Sequence, residues 1–366
     1  MKTSLRLALL LFVALGSLFG QAKDDPIDFN RARQLMERQR SGVTLSADEK
    51  AYVARAVAER NAGGGGGRPG NQRPAPERIA PLTDLGATAR YEGEGGGLYG
   101  GGNNTPPETQ RRAALEQLAK IRPLNAAGEA ADDGIIGFVA ISMSNATQEF
   151  SRFKQMADAS ALKSARVTIV DCAQGGQAMA QWVPADGRPW AEAKRRLAVA
   201  KVVPPQVQVA WIKLANVGPT GSLQEHGRKL ERDTLAVVQQ ARVLFPNLRI
   251  AYLGSRTYGG YAVGGLNPEP YAFEGAFAAR WLIERQVKGD AELAPAKAPL
   301  LLWGPYLWAD GTRGRKMDSL VWERGDFGDD GVHPSTAGRQ KVAELLLDFY
   351  TTDPLAKSWF VGKSGR

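Results

Sequence analysis

Between residues 131 and 353 the apolar positions alternate between two spacings. Short runs that are apolar at nearly every position occupy residues 135–141, 167–170, 207–212, 248–253 and 300–303. Between and after them, apolar residues recur every three or four positions over 147–158, 190–200, 223–244, 270–287 and 335–350. In the 223–244 segment Leu230, Thr234, Val237, Val238 and Ala241 share one face, as a helix packed on a core requires. Strands alternating with helices imply parallel pairing with helices on both faces. Strands apolar throughout are those covered on both sides. The pattern predicts a three-layer α/β/α domain over 131–366, with a five-stranded, mostly parallel sheet.

The chain ahead of this domain reads differently. Lys2 and Arg6 precede an apolar run from Leu7 to Phe19, and Gly20-Gln21-Ala22 ends it with small residues. That is the layout of a secretory signal with cleavage near Ala22, and the run is shorter than the roughly 20 residues a membrane span needs. The expectation is a secreted or periplasmic protein whose mature chain has no membrane span. Residues 23–61 carry helical spacing in two stretches, the first on Phe29, Ala32, Leu35 and Met36 and ended by Gly42. Ser46 and Glu49 form a capping box for the second, whose apolar face is Tyr52, Val53, Ala56 and Val57. Five glycines in a row at 63–67, followed by Pro69, Pro74 and Pro76, mark 62–80 as a linker. Over 81–130 dense glycine is interleaved with Tyr91, Leu98 and Tyr99. A second capping box, Thr105 with Glu108, then opens a helix on Ala114, Leu115, Leu118 and Ile121. This stretch is expected to pack on the main domain.

Composition narrows the chemistry. Two histidines and one cysteine exclude a disulfide framework and a His/Cys zinc site within one chain. The net charge of +9 favours acidic partners, but the basic residues are scattered and no nucleic-acid motif accompanies them. No nucleic-acid partner is expected, and the oligomeric state is not read from the sequence. In an open parallel sheet ligands bind beyond the carboxyl ends of the strands. Those positions hold Ser142-Met143-Ser144-Asn145, then Asp171 to Gly176, then Leu214-Ala215-Asn216, and finally Asp330-Gly331-Val332-His333-Pro334-Ser335 before the last helix. A hydroxyl, glycines, a carboxamide and an Asp/His pair thus fall at one edge.

These residues resemble the SGNH (GDSL-type) hydrolase family from about 135 to 353. Asp330-Gly331-Val332-His333-Pro334 is similar to the family's Asp-x-x-His block. Ser144 resembles the nucleophile after the first strand, with Asn145 following it as in some carbohydrate-ester members. Gly176 resembles the second-block glycine and Asn216 the third-block asparagine. The first and third blocks diverge, with Ser142-Met143 in place of Gly-Asp and Asn216-Val217 in place of Asn-Asp. The resemblance implies an SGNH/flavodoxin-like fold and a serine esterase without metal or organic cofactor. A serine hydroxyl needs a base to take its proton, here His333, oriented by Asp330. The Ser144 and Gly176 backbone N–H groups and the Asn216 amide would serve the oxyanion.

Each assignment has a plainer competitor. Ser142 competes with Ser144 as nucleophile, and Asp326 and Asp329 compete with Asp330. His226, among Gln224, Glu225, Arg228 and Lys229, reads as a solvated histidine. Arg256, Tyr258 and Tyr261 follow the fourth strand and are candidates to line a cleft. Trp303, Tyr306 and Trp308 follow the fifth and could stack on a sugar, or simply fill the core. The expected substrate is an acylated carbohydrate or another small ester carrying a short acyl group. Two rivals remain open: a polysaccharide-binding or surface-attachment protein without catalysis, and a lipase.

Overall fold

The computed structural model describes residues 27–40, 44–63 and 72–362. The signal segment expected at 1–22, Gly42 and the first half of the linker lie outside the described residues. The chain divides into two units, Met1–Gly65 and Gly66–Arg366.

In the first unit α1 (Phe29–Arg40) is followed by α2 (Ala47–Gly63). The cap forms as the spacing predicts. Ser46 Oγ accepts from the Glu49 N–H at 3.1 Å, and Glu49 Oε2 accepts from the Ser46 N–H at 2.9 Å. Each bond satisfies a backbone donor that the first helical turn leaves without a partner. Ala32, Leu35, Leu45 and Ala56 are buried.

The second unit begins with a two-residue hairpin, β1 (Arg90–Tyr91) and β2 (Glu94–Gly95), and α3 (Glu108–Leu118). The alternating part follows as β3 (Ile136–Ser142), α4 (Ser144–Ala159), β4 (Val167–Asp171), α5 (Met179–Trp182), α6 (Arg188–Val199), β5 (Val207–Lys213), α7 (Arg228–Leu244), β6 (Ile250–Leu253), α8 (Tyr271–Val287), β7 (Leu300–Trp303), α9 (Thr336–Thr352) and α10 (Lys357–Phe360). The sheet order is β4-β3-β5-β6-β7, and every neighbouring pair is parallel. The first strand of the domain is therefore interior, and the chain reverses direction across it, which creates a switch point between β3 and β5.

Side chains alternate across the sheet and build two cores. Phe138, Phe150, Phe153, Trp211, Tyr252 and Tyr350 belong to the face covered by α4, α9 and α10. Ile141, Ile212, Leu253, Leu197, Val237 and Phe277 belong to the face under α6, α7 and α8. The result is the three-layer α/β/α arrangement that the hydrophobic pattern implies. Among the described residues no helix is long and apolar enough to cross a membrane.

Local details depart from expectation. α3 begins after Pro107, with no side-chain cap, so the Thr105 box does not form, and Leu115 lies 44% exposed on its outer face. Pro107 is itself the cap residue, extended at φ −61° and ψ 154°, and its ring has no acceptor to offer the first-turn N–H groups. The second half of the supposed linker is bound to the domain. Gln72 Nε2 donates to the Gly265 carbonyl at 3.2 Å, the Arg73 guanidinium pairs with Glu274, and the Leu82 N–H reaches Tyr306 Oη at 3.1 Å. The glycine-dense stretch continues this strap, with the Trp303 indole donating to the Leu98 carbonyl at 2.7 Å.

Phe150 stacks on Trp211 with centroids 5.5 Å apart, edges against Phe138 at 5.3 Å, and is fully buried. Phe150→Ala is expected to cost about 3–5 kcal/mol in denaturant unfolding, with the midpoint shifted and little change in slope.

Candidate active site

The site grows from the end of β3. Ser142 is fully buried and its hydroxyl donates to the Lys213 carbonyl at the end of β5. It is therefore spent on joining two strands. Met143 takes an extended conformation as N-cap, and α4 starts at Ser144, three residues earlier than the apolar spacing suggests. Ser144 thus sits in the first turn of a sixteen-residue helix, where backbone N–H groups point outward and the helix dipole favours negative charge.

From the opposite side comes the turn before α9. Ser144 Oγ lies 2.7 Å from His333 Nε2, and His333 Nδ1 lies 2.5 Å from Asp330 Oδ2. The other carboxylate oxygen of Asp330 accepts from the Val332 and His333 N–H groups, both at 2.9 Å. Burial raises the Asp330 pKa, but these donors and the imidazole outweigh it and hold the carboxyl down to about 2. An ionised carboxylate only accepts, so His333 Nδ1 carries the hydrogen and Nε2 is left to accept from the serine hydroxyl. His333 and Asp330 keep 31% and 39% of their side-chain surface open, so the pair is reachable from solvent.

The turn has little freedom. Gly331 has φ +66°, and a Cβ there would come within 1.7 Å of the Tyr261 carbonyl oxygen. Only glycine lets the 258–263 loop pack this closely, and the Val263 N–H donates to the Asp330 carbonyl at 3.0 Å. Ser335 caps α9, its Oγ accepting from the Gly338 N–H at 3.3 Å. The competing aspartates are placed elsewhere. Asp326 is buried against Lys341 at 2.5 Å, and Asp329 is exposed.

The loops after β4 and β5 flank Ser144 because those strands flank β3. Gly176, with φ +73°, lies in the β4 turn, which is tied to β3 by the Gln174 N–H donating to the Ser142 carbonyl at 3.0 Å. Asp171 braces the same turn against α4. Its Oδ2 accepts from Thr147 Oγ1 at 2.6 Å and Ser151 Oγ at 2.8 Å, while Oδ1 accepts from the Ala173 N–H at 3.0 Å. Asn216 is half-buried in the β5 loop, and its Oδ1 accepts from Lys229 Nζ at 3.4 Å. That contact occupies the carbonyl end of the amide and leaves the donor end available.

Below the rim lies a charge cluster the sequence reading missed. Lys213 and Glu149 form an ion pair with 0% and 1% of their side chains exposed. Burial pulls Lys213 down to about 8 against the opposing charge of Glu149. The one available signal was a lysine directly after an apolar run. Arg256 is 5% exposed and Tyr258 half-buried.

Two expectations are corrected. Trp308 is fully buried, and its indole donates to Glu269 Oε1 at 2.7 Å, so it offers no face to a sugar. A buried carboxylate needs donors, and the indole meets that need. Trp303 and Tyr306 are likewise internal. His226 is not solvated either. It is 8% exposed, pairs with Glu274, and stands edge-on to Tyr271 at 4.8 Å. It lies in the π-helical turn Leu223–Gly227 that leads into α7, four residues ahead of buried Leu230, and that spacing was the overlooked signal.

No family model matches the chain, and no curated protein matches it. Solved structures show slight likeness. A protein from Arabidopsis thaliana is 12% identical over 56% of this chain and 66% of that one, with a TM-score of 0.32. A proposed acylhydrolase from Bacteroides fragilis is 13% identical over 69% and 100%, with a TM-score of 0.34. The periplasmic domain of a lipopolysaccharide acetyltransferase from Salmonella ser. Paratyphi A is 11% identical over 66% and 95%, with a TM-score of 0.32. Likenesses this slight assign no reaction.

Glu269 accepts from Trp308 and from the Gly259 and Phe273 N–H groups at 2.7 and 3.0 Å, yet burial raises it to about 7. Between its ordinary 4.5 and about 7, the native protein holds a proton the unfolded chain has released. Stability should therefore fall as pH rises through that window. Glu269→Gln should flatten this slope, as read from urea midpoints at several pH values.

Proposed function

We propose that the protein is a serine hydrolase of the SGNH class that removes short acyl groups such as acetyl from a carbohydrate or another small ester outside the cytoplasm. The single observation that carries this reading is the continuous hydrogen-bond chain from Ser144 Oγ through both nitrogens of His333 to Asp330. In this reading Ser144 attacks the ester carbonyl while His333 takes its proton. His333 then returns that proton to the departing alcohol, and water repeats the cycle on the acyl-enzyme. Asp330 stays ionised throughout and stabilises the imidazolium that forms. The Ser144 and Gly176 N–H groups and the Asn216 amide are the proposed oxyanion donors. The nucleophile, base and donors all come from the chain, so the scheme uses no metal or organic cofactor. Export rests on the segment ahead of residue 23, and the carbohydrate on the resemblance of the four blocks.

The burial of Ser142 and its bond to the Lys213 carbonyl support Ser144 over it as nucleophile and sharpen the test. With a short aryl acetate, Ser144→Ala and His333→Ala should each lower kcat by about a thousand-fold or more, while Ser142→Ala stays within a few-fold of wild type. Removing the proposed donor with Asn216→Ala should lower kcat by about a hundred-fold with KM little changed. Glycan binding by a wild-type protein that turns over no acetyl ester would favour the binding-protein reading.

A further inference from the structure

Within electrostatic reach of Glu149 and Asp330 lies a buried guanidinium. Arg256 follows β6, on the side of the sheet where Lys213, Trp211 and α4 lie. It is 5% exposed, yet no hydrogen bond or ion pair reaches its guanidinium among the described residues, and its Nε is buried without an acceptor. Leaving a buried charge unpaired costs several kcal/mol, so folds rarely retain one without a use for it. A second orphan lies beside the nucleophile. Asn145 is 2% exposed, and its Nδ2 is buried with no acceptor. Asn145 is one helical turn ahead of Glu149, on the buried face of α4.

The surrounding charges define what would fit. Arg256 feels Glu149, Glu269 and Asp330, and burial lowers its pKa against their attraction. None of the three is free to pair with it. Glu149 is held by Lys213, Asp330 by His333, and Glu269 by three N–H donors. Their charges act on Arg256 through space, but its planar fork, suited to two parallel hydrogen bonds, is left without a partner. A carboxylate fits the fork and adds a single negative charge beside Asp330 and Glu269, whereas a phosphomonoester near −2 would add about two where Lys213 is already paired with Glu149. The chain's net charge of +9 would favour the approach of such a substrate.

Building on the esterase reading, we infer that Arg256, assisted by the Asn145 amide, recognises a carboxylate on the alcohol portion of the substrate, so that the preferred ester is an acylated acidic sugar. Arg256 then acts in specificity, and the chemistry remains with Ser144 and His333.

The test compares acetylated glucuronic acid with acetylated glucose at low ionic strength. Wild-type kcat/KM should favour the acid by about ten-fold or more, mostly through KM, and Arg256→Gln should bring the ratio close to one. Arg256→Lys should recover part of the preference. A wild-type ratio near one overturns the inference, as does a ratio that Arg256→Gln leaves unchanged while both rates fall. Should Arg256→Gln fail to fold, inhibition of wild-type enzyme by free glucuronate and by glucose decides: a clear preference for glucuronate supports the inference, and equal inhibition overturns it. If neither ester is turned over, the esterase reading falls alone. Calorimetry on Ser144→Ala protein then judges Arg256, because glucuronate binding lost on adding Arg256→Gln supports the inference and no binding at all overturns it.

Discussion

Parallel pairing is the constraint from which the rest follows. When all five strands run the same way, every carboxyl end opens on one rim, and whatever follows each strand is gathered there whatever its distance along the chain. Placing β3 between β4 and β5 adds asymmetry. The connection after β3 leads to one side and that after β5 to the other, so the rim parts beside Ser144 at the start of α4. α9 returns to the same face as α4, which brings the turn before it within hydrogen-bond reach of the serine across 189 residues of sequence. No single segment makes this site. It depends on two helices packing side by side through Phe150, Phe153 and Tyr350.

Polar groups inside the domain are handled in two ways. Most are fully engaged: Glu269 by three donors, Glu149 by Lys213, Glu274 by His226, Tyr91 and Arg73. Such networks specify one packing, because each partner's absence would strand a charge in a medium that cannot solvate it. Asp330 belongs here too, and its donors fix which ring nitrogen of His333 bears the hydrogen. Asn145, next to the reactive serine in sequence, and Arg256 are among the contrasts, each buried with an N–H donor that has no acceptor.

Much of this was legible in the residue order. Strands apolar at every position and helices with a clear stripe placed ten elements to within a few residues, since both patterns follow from burial alone. The Asp330 and His333 spacing was legible because a carboxylate three residues ahead of an imidazole can close a turn onto it locally. What stayed hidden was whatever depends on contacts distant in sequence. Lys213 reads as a surface lysine until Glu149 stands beside it. Trp308 reads as a sugar platform until Glu269 claims its indole. His226 shows its polar neighbours in sequence, but its helical position turns it away from them and into the protein. Ser142 and Ser144 look alike on paper, and what separates them is that β3 ends at the first while α4 begins at the second.

The strap over residues 72–104 sets where this domain begins. It supplies Arg73 and Tyr91 to the Glu274 carboxylate, Glu94 to Arg280 at the middle of α8, and a carbonyl to Trp303. A protein trimmed to the alternating strands and helices would uncover the acidic and aromatic side of α8 and leave Arg280 only Glu284 as partner, so a self-sufficient piece is expected to start near Gln72, some sixty residues before the first strand of the sheet. Glycine there is not slack between parts. It lets a main chain lie flat against a helix, working as upholstery sewn to the frame.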